Sequence, residues 1–149
     1  MENGTQIAGD ELLVLCVTIP PELRLIADAD FMNKPSADKW SKKEILGHLI
    51  DSAAANHQRF VRGQLEDCPV IFYEQDLSVA VQNYQEENAS DLINLWEAYN
   101  RHLAHVVQHI PSDRLANECV YKDGTKACLS FLVHDYLLHL KHHLDQILS

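Results

Sequence analysis

The chain has 149 residues, a usual size for one domain, so we expect a single folded unit over residues 1–149. Its hydrophobic fraction of 46% and charged fraction of 23% are ordinary for a globular protein. The formal net charge of -10 repels phosphate backbones and argues against a nucleic-acid partner. No apolar run approaches the roughly 20 residues that a membrane span needs, and the N-terminus lacks a secretory signal. We therefore expect a cytoplasmic protein with no membrane partner.

The N-terminal part of the chain predicts one helix and a loop. An apolar segment at Ile7–Ile19 predicts a helix that ends before Pro20 and Pro21, because proline lacks the amide that the next turn needs. A short helical turn is expected at Glu22–Ala29. The range Phe31–Trp40 is rich in turn-forming residues and predicts a loop.

The clearest helix start in the sequence is Ser41, followed three residues later by Glu44. This spacing fits a capping box, in which each side chain bonds the backbone amide of the other residue. We expect the second helix to run from this cap to about Leu65, with apolar residues at helical spacing. The following segment predicts extended chain at Cys68–Tyr73 and a short helix near Leu77–Tyr84.

The C-terminal half predicts two further helices separated by a hairpin. The third helix is expected at Ser90–Ile110, with Ser90 as its N-cap, and the fourth at Leu129–Leu148. Between them, Asp123 and Gly124 suit a type I′ hairpin turn between strands at Glu118–Lys122 and Thr125–Cys128. Four amphipathic helices predict an all-α fold, an antiparallel four-helix bundle with a small β-hairpin before the last helix.

The predicted hairpin register brings two cysteines together. With a two-residue turn, Cys119 faces Cys128 across the ribbon. The chain has four cysteines and no CxxC pair, which argues against a structural zinc site built from thiolates. In a reducing cytoplasm we expect buried, reduced thiols.

Histidine is the residue type that carries the chemistry here, since the chain has nine of them. His139 and His143 are four residues apart on the last helix, so their rings share one face and can converge on one ion. At about 100° per residue, His143 falls inside the apolar stripe, His139 on its edge, and His142 points to solvent.

Two other interpretations of the histidines stay open. Each inward ring can be a core histidine bonded to a backbone carbonyl or a tyrosine, because an unpaired polar ring in a core is costly. His102, His105 and His109 form a rival cluster on the third helix. The angular count places them on the flank or outer side of that helix, which indicates a solvated face.

His48 is a candidate third ligand for the pair on the last helix. It lies beside the apolar face of the second helix, where it can meet the last helix across the bundle interior. Three histidines from two helices leave coordination positions open, as in catalytic metal sites. Asp51 and Asp135, each one turn from a proposed ligand, are candidate acceptors that would orient the ligand rings.

Two segments resemble the signatures of a known family. Residues 39–51 read KWSKKEILGHLID and resemble the W-S-x-x-E-I-x-x-H-L-x-D motif of the DinB/YfiT-like metalloenzyme superfamily. Residues 139–147 read HLKHHLDQI and resemble its H-x-x-x-H-x-x-Q-[IL] ending. The resemblance implies a four-helix bundle with a crossover connection. It also implies one divalent ion, nickel or zinc, held by His48, His139 and His143.

The resemblance further implies an enzyme with a small-molecule substrate. Family members include transferases of low-molecular-weight thiols, so the expected function is a thiol-dependent S-transferase or a related hydrolase or isomerase. Asn56 and Arg59 are candidate contacts for an anionic substrate. The alternative is a non-catalytic metal- or ligand-binding module of the same fold. Relatives commonly form homodimers, for which the helix face around Trp96 is one candidate.

Overall fold

The computed structural model describes residues 3–149, which form six α-helices and one two-stranded antiparallel sheet. The helices are α1 Gly4–Arg24, α2 Asp28–Met32, α3 Lys42–Leu65, α4 Gln75–Gln82, α5 Ala89–Gln108 and α6 Leu129–Leu148. The strands are β1 Glu118–Val120 and β2 Lys126–Cys128, and short 3-10 turns lie at Tyr84–Glu86 and Ser112–Arg114. The predicted helical bundle with a hairpin before the last helix is confirmed.

The four long helices form the bundle, in which α1 packs on α5 and α6, and α3 packs on the same two helices. Hydrogen bonds from Gln108 to Asp10 and from Arg24 to Asn94 show that α1 and α5 are antiparallel. Helices α3 and α6 are antiparallel too. The resulting interior is one continuous hydrophobic core to which all four helices contribute.

Residues 66–88 form the crossover connection between α3 and α5. After α3 ends, the chain passes through α4 and returns to the start of α3, where Gln85 accepts hydrogen bonds from Ser41 Oγ at 2.7 Å and Lys43 Nζ at 3.0 Å. Because α5 begins just beyond Gln85, it starts at the same end of the bundle as α3. The crossover predicted from the family resemblance is therefore present.

Helix α1 extends further than the sequence predicts. The expected end at Ile19 is wrong, because Pro20 and Pro21 lie inside the helix, which continues to Arg24. Each proline removes one backbone hydrogen bond. The extra turn, however, buries Leu23, which is 1% exposed. Burial of a leucine side chain stabilises by about 2 kcal/mol, which offsets part of that loss.

The start of α3 agrees with the sequence prediction, whereas the positions of α2 and of the start of α5 differ from it. The turn expected at Glu22–Ala29 lies instead at α2, which buries Phe31. The capping box of Ser41 and Glu44 at the start of α3 is confirmed, with both reciprocal bonds present. Helix α5 begins earlier than predicted, because its N-cap is Asn88, whose side chain accepts from the Asp91 amide.

The hairpin has a three-residue loop instead of the predicted type I′ turn. A type I′ turn needs positive φ at both central residues, but of the two only Gly124 has it, at 87°. Tyr121 and Thr125 close the loop through the bond from Tyr121 N to Thr125 O at 2.8 Å. The register shifts by one residue, so Cys119 pairs with Ala127. The predicted facing of Cys119 and Cys128 is therefore wrong, and all four cysteines are free.

The burial of Trp96 and the character of the helices bear on the expected dimer surface and on membrane insertion. Trp96 is fully buried, so the helix face around it is core and cannot be the dimer surface suggested from the sequence. Within residues 3–149, no helix has the length and apolar character needed to cross a bilayer.

Close packing at Gly47 fixes the crossover against α3. A Cβ atom added at Gly47 would lie 2.2 Å from Cδ2 of Tyr84, which is less than any real contact allows. The Tyr84 hydroxyl donates to Asp51 Oδ1 at 2.6 Å, and its ring is buried. The absence of a side chain at this position is therefore required for the observed contact.

Gly47→Ala is expected to destabilise the protein by about 1–3 kcal/mol, because the overpacking cost exceeds the gain in helix propensity. Chemical denaturation measures this change. In the Tyr84→Leu background the same substitution should cost less, since the aromatic ring is gone. Stabilisation by Gly47→Ala in the wild-type background would contradict the packing described here.

Candidate metal centre

His48, His139 and His143 lie together in the structure, as the sequence predicts. His48 is carried by α3, and the other two are carried by α6 one turn apart. The antiparallel packing of these helices sets the register, with the rings of Phe60 and Tyr136 at 6.0 Å further along the pair. One ring nitrogen from each of the three histidines lies within 4.8 Å of the others. His48 is fully buried and the α6 pair is half-buried.

The two Nε2–Nε2 distances that involve His139 fit a shared metal ion. His139 Nε2 lies 3.2 Å from His48 Nε2 and 3.1 Å from His143 Nε2. Two nitrogens bonded to one ion at about 2.0–2.1 Å and about 100° apart are separated by roughly 3.1–3.2 Å. His139 therefore stands at ligand spacing from both other histidines, and three protein ligands would leave further coordination positions open.

The protonation of the rings points to the same conclusion. His143 Nδ1 lies 2.8 Å from Gln146 Oε1, and an amide oxygen only accepts, so Nδ1 carries the hydrogen and Nε2 the lone pair. His139 Nε2 then faces two ring nitrogens but offers only one hydrogen or one lone pair. It cannot make good hydrogen bonds to both neighbours, whereas a cation accepts all three lone pairs.

His48 is held in an apolar environment that keeps it neutral. The Trp40 ring lies 4.8 Å from the His48 ring, centroid to centroid, and the Tyr73 ring lies 6.5 Å away. Burial lowers the pKa of His48 to about 3, with the neighbouring His139 and His143 adding to the shift. Burial also lowers the pKa of His139. Neutral imidazole is the form that binds metals.

Neither of the two acidic residues predicted to orient the ligands hydrogen-bonds a ligand ring within residues 3–149. Asp51 does not contact His48: its Oδ1 accepts from Tyr84 and from Gln82 Nε2 at 2.8 Å, so its predicted role is wrong. His48 Nδ1 is buried without a hydrogen-bond partner in the described chain. Asp135 faces the same cavity as His139, but no hydrogen bond joins the two.

A cavity of about 240 Å³ lies next to His139. Its walls come from α3, α6, the crossover and the hairpin, and it includes Ser52, Asn56, Arg59, Tyr73, Tyr121 and Asp135. Asn56 and Arg59, the sequence candidates for substrate contact, therefore both lie in this cavity. Of the three clustered histidines, His139 lines this cavity, so a small molecule bound there would lie beside the cluster.

The other histidines stand apart from this centre. His102, His105 and His109 are exposed, in agreement with the predicted solvated face. His57 bonds the Tyr99 hydroxyl through Nδ1 at 2.9 Å, a contact that sequence reasoning did not anticipate. Across residues 3–149, no second group of three or more His, Cys, Asp or Glu side chains converges in this way.

Sequence reasoning assigned no role to Gln146, Trp40 or the tyrosines of the cavity. For Gln146 a signal was present, since a residue three positions after His143 lies on the same helix face. Trp40 and Tyr73 reach His48 from segments outside the bundle helices, and helical periodicity says nothing about such segments.

Gln146→Ala is expected to weaken metal binding by about 10–100-fold, because His143 loses the acceptor that fixes its tautomer. Competition with a chromophoric chelator measures this affinity. Gln146→Glu retains an acceptor and should stay near wild type, as should Asp145→Ala on the exposed face of α6. Equal affinities for Gln146→Ala and Asp145→Ala would argue against this role of Gln146.

Comparison with known proteins agrees with this architecture. The family model described as the DinB superfamily matches residues 19–147. No protein with a curated description matches the chain in sequence. The solved structure of YfiT from Bacillus subtilis, described as a probable metal-dependent hydrolase with an unusual four-helix bundle topology, aligns with a TM-score of 0.81 at 16% identity. That alignment covers 93% of this chain and 83% of YfiT.

Two structures of a mycothiol-dependent maleylpyruvate isomerase, one of them a mutant, are also similar. Their TM-scores are 0.72 and 0.73 at 18% and 15% identity. The alignments cover 93% of this chain and 60% of the isomerase, so the isomerase has a large part with no counterpart here. At these identities the likeness establishes the fold alone. Because the family model spans most of the sequence, this chain belongs to the DinB superfamily.

Proposed function

We propose that this protein is a metal-dependent enzyme in which His48, His139 and His143 hold one divalent ion beside a small-molecule cavity. The observation that carries the proposal is the spacing of the three Nε2 atoms, 3.1 and 3.2 Å about His139, at a position where ordinary hydrogen bonding cannot satisfy all three. Imidazole nitrogens without thiolates suit zinc or nickel. The adjoining cavity leads from this position to solvent-accessible polar side chains.

We further propose that the reaction is transfer or activation of a small thiol, with a related hydrolase as the second candidate. A divalent ion here supplies Lewis acidity, which lowers the pKa of a thiol or water molecule that reaches it. The protein's own contribution is to keep His48 neutral, to orient His143 through Gln146, and to place Arg59 in the cavity. Support for a thiol comes from the mycothiol-dependent isomerase of similar fold, and support for hydrolysis from YfiT.

Metal binding at this centre should raise the melting temperature by roughly 5–10 °C at 100-fold excess over Kd for a domain of this size. Thermal-shift measurements with zinc and nickel test this in protein purified without a polyhistidine tag. His139→Ala should abolish the shift, whereas His142→Ala, on the exposed side of the same helix, should retain it. An equal shift in both variants would exclude this centre as the binding site.

Activity is tested with metal-loaded protein, a small thiol and an electrophile such as monobromobimane, with ester hydrolysis as the parallel assay. We expect one of the two activities, and a loss of at least about 100-fold in His48→Ala, which corresponds to about 2.7 kcal/mol of transition-state stabilisation. His57→Ala is the matched control on α3. Tight metal binding without either activity would favour the non-catalytic module instead.

Size-exclusion chromatography with light scattering tests the predicted homodimer.

A further inference from the structure

We propose that the cavity beside His139 selects a substrate carrying both a carboxylate, bound by Arg59, and an ammonium group, bound by Asp135. This proposal rests on the metal-dependent thiol chemistry proposed above and narrows its substrate class. The two residues contribute the only opposite formal charges among the cavity walls.

Arg59 is held in place and still has donors to offer. One of its terminal nitrogens donates to Asn56 Oδ1 at 3.3 Å and the other to the Ile71 carbonyl at 3.1 Å. Its guanidinium carbon lies 5.3 Å from the centroid of the Tyr121 ring, within cation–π range. A guanidinium has five N–H donors, and these two bonds leave three without a partner in the described chain. A fixed guanidinium with spare donors is suited to a carboxylate.

Asp135 supplies the opposite charge in the same cavity. It lies on α6 one turn before His139, it is exposed, and its carboxylate makes no hydrogen bond with any of residues 3–149. Although Arg59 and Asp135 line one cavity, no ion pair joins them within residues 3–149. Each charge is therefore available to a ligand in this cavity.

The size and charge of the cavity restrict what it can take. A volume of about 240 Å³ admits a molecule of amino-acid size. A dianion would be repelled by Asp135, and a simple amine by Arg59. A molecule with one charge of each sign satisfies both groups, and its reactive atom would then lie beside His139.

Four small thiols test the contribution of each charge. L-Cysteine carries both a carboxylate and an ammonium group, 3-mercaptopropionate carries only the carboxylate, cysteamine carries only the ammonium group, and 2-mercaptoethanol carries neither. Titration calorimetry on the zinc-loaded protein should show cysteine binding about tenfold tighter than either singly charged thiol. Arg59→Gln should equalise cysteine and cysteamine, and Asp135→Asn should equalise cysteine and 3-mercaptopropionate. Arg62→Gln and Asp145→Asn remove charges elsewhere on the same two helices and should leave the preference for cysteine unchanged.

The outcomes separate this inference from the proposed function. Equal affinity for all four thiols overturns the charge selection and leaves thiol activation standing. If no thiol binds, thiol activation fails, and the hydroxyl analogues L-serine, ethanolamine and 3-hydroxypropionate are then titrated into metal-free protein. A preference for serine that depends on both Arg59 and Asp135 supports the charge selection, and the absence of any preference overturns it.

Discussion

The structure depends on the antiparallel register between α3 and α6. A Cβ at Gly63 would lie 2.7 Å from Leu129 Cδ2, so the two helices are close at that end, and at the other end His48 meets His139 and His143. Sliding one helix by a residue turns each side chain by about 100° and would carry the rings apart. The same packing that excludes water from the core therefore sets the positions of the three imidazole nitrogens.

We expect the helical bundle to fold without the metal centre. The core is continuous across all four long helices and includes fully buried Trp96 and Phe60, so the bundle has an apolar interior large enough to fold without a metal. The histidine cluster, by contrast, places polar rings where burial depresses the pKa of His48 and leaves its Nδ1 without a partner. Buried polar atoms without hydrogen-bond partners destabilise the core. Natural proteins retain such unfavourable groups mainly at functional positions, so we expect this cluster to have a function.

The sequence predicted the bundle and the pair of His139 and His143 because both follow helical periodicity, whereas the ligand set that also includes His48 was completed by the family resemblance. The spacing of His139 and His143 and the capping box at Ser41 involve only residues close together in the sequence. Both can therefore be recognised without knowledge of the tertiary structure. The end of α1 was missed because the burial of Leu23 comes from tertiary packing, which the local helix-stop signal of Pro20 and Pro21 does not include. The hairpin register was missed because Asp123-Gly124 is compatible with a two-residue or a three-residue loop. The roles of Gln82, Tyr84 and Tyr73 depend on where the crossover lies, and this is a long-range property.

The proposed function depends on one ion occupying the space between three imidazoles. The most direct measurement is the metal content, by mass spectrometry, of protein purified without a polyhistidine tag, supplemented with zinc or nickel and then dialysed. We expect about one ion per chain, as three-histidine sites hold, together with its absence from the triple variant lacking His48, His139 and His143. Less than about 0.1 ion per chain after supplementation would contradict the account, because a folded, neutral three-histidine site should retain its metal.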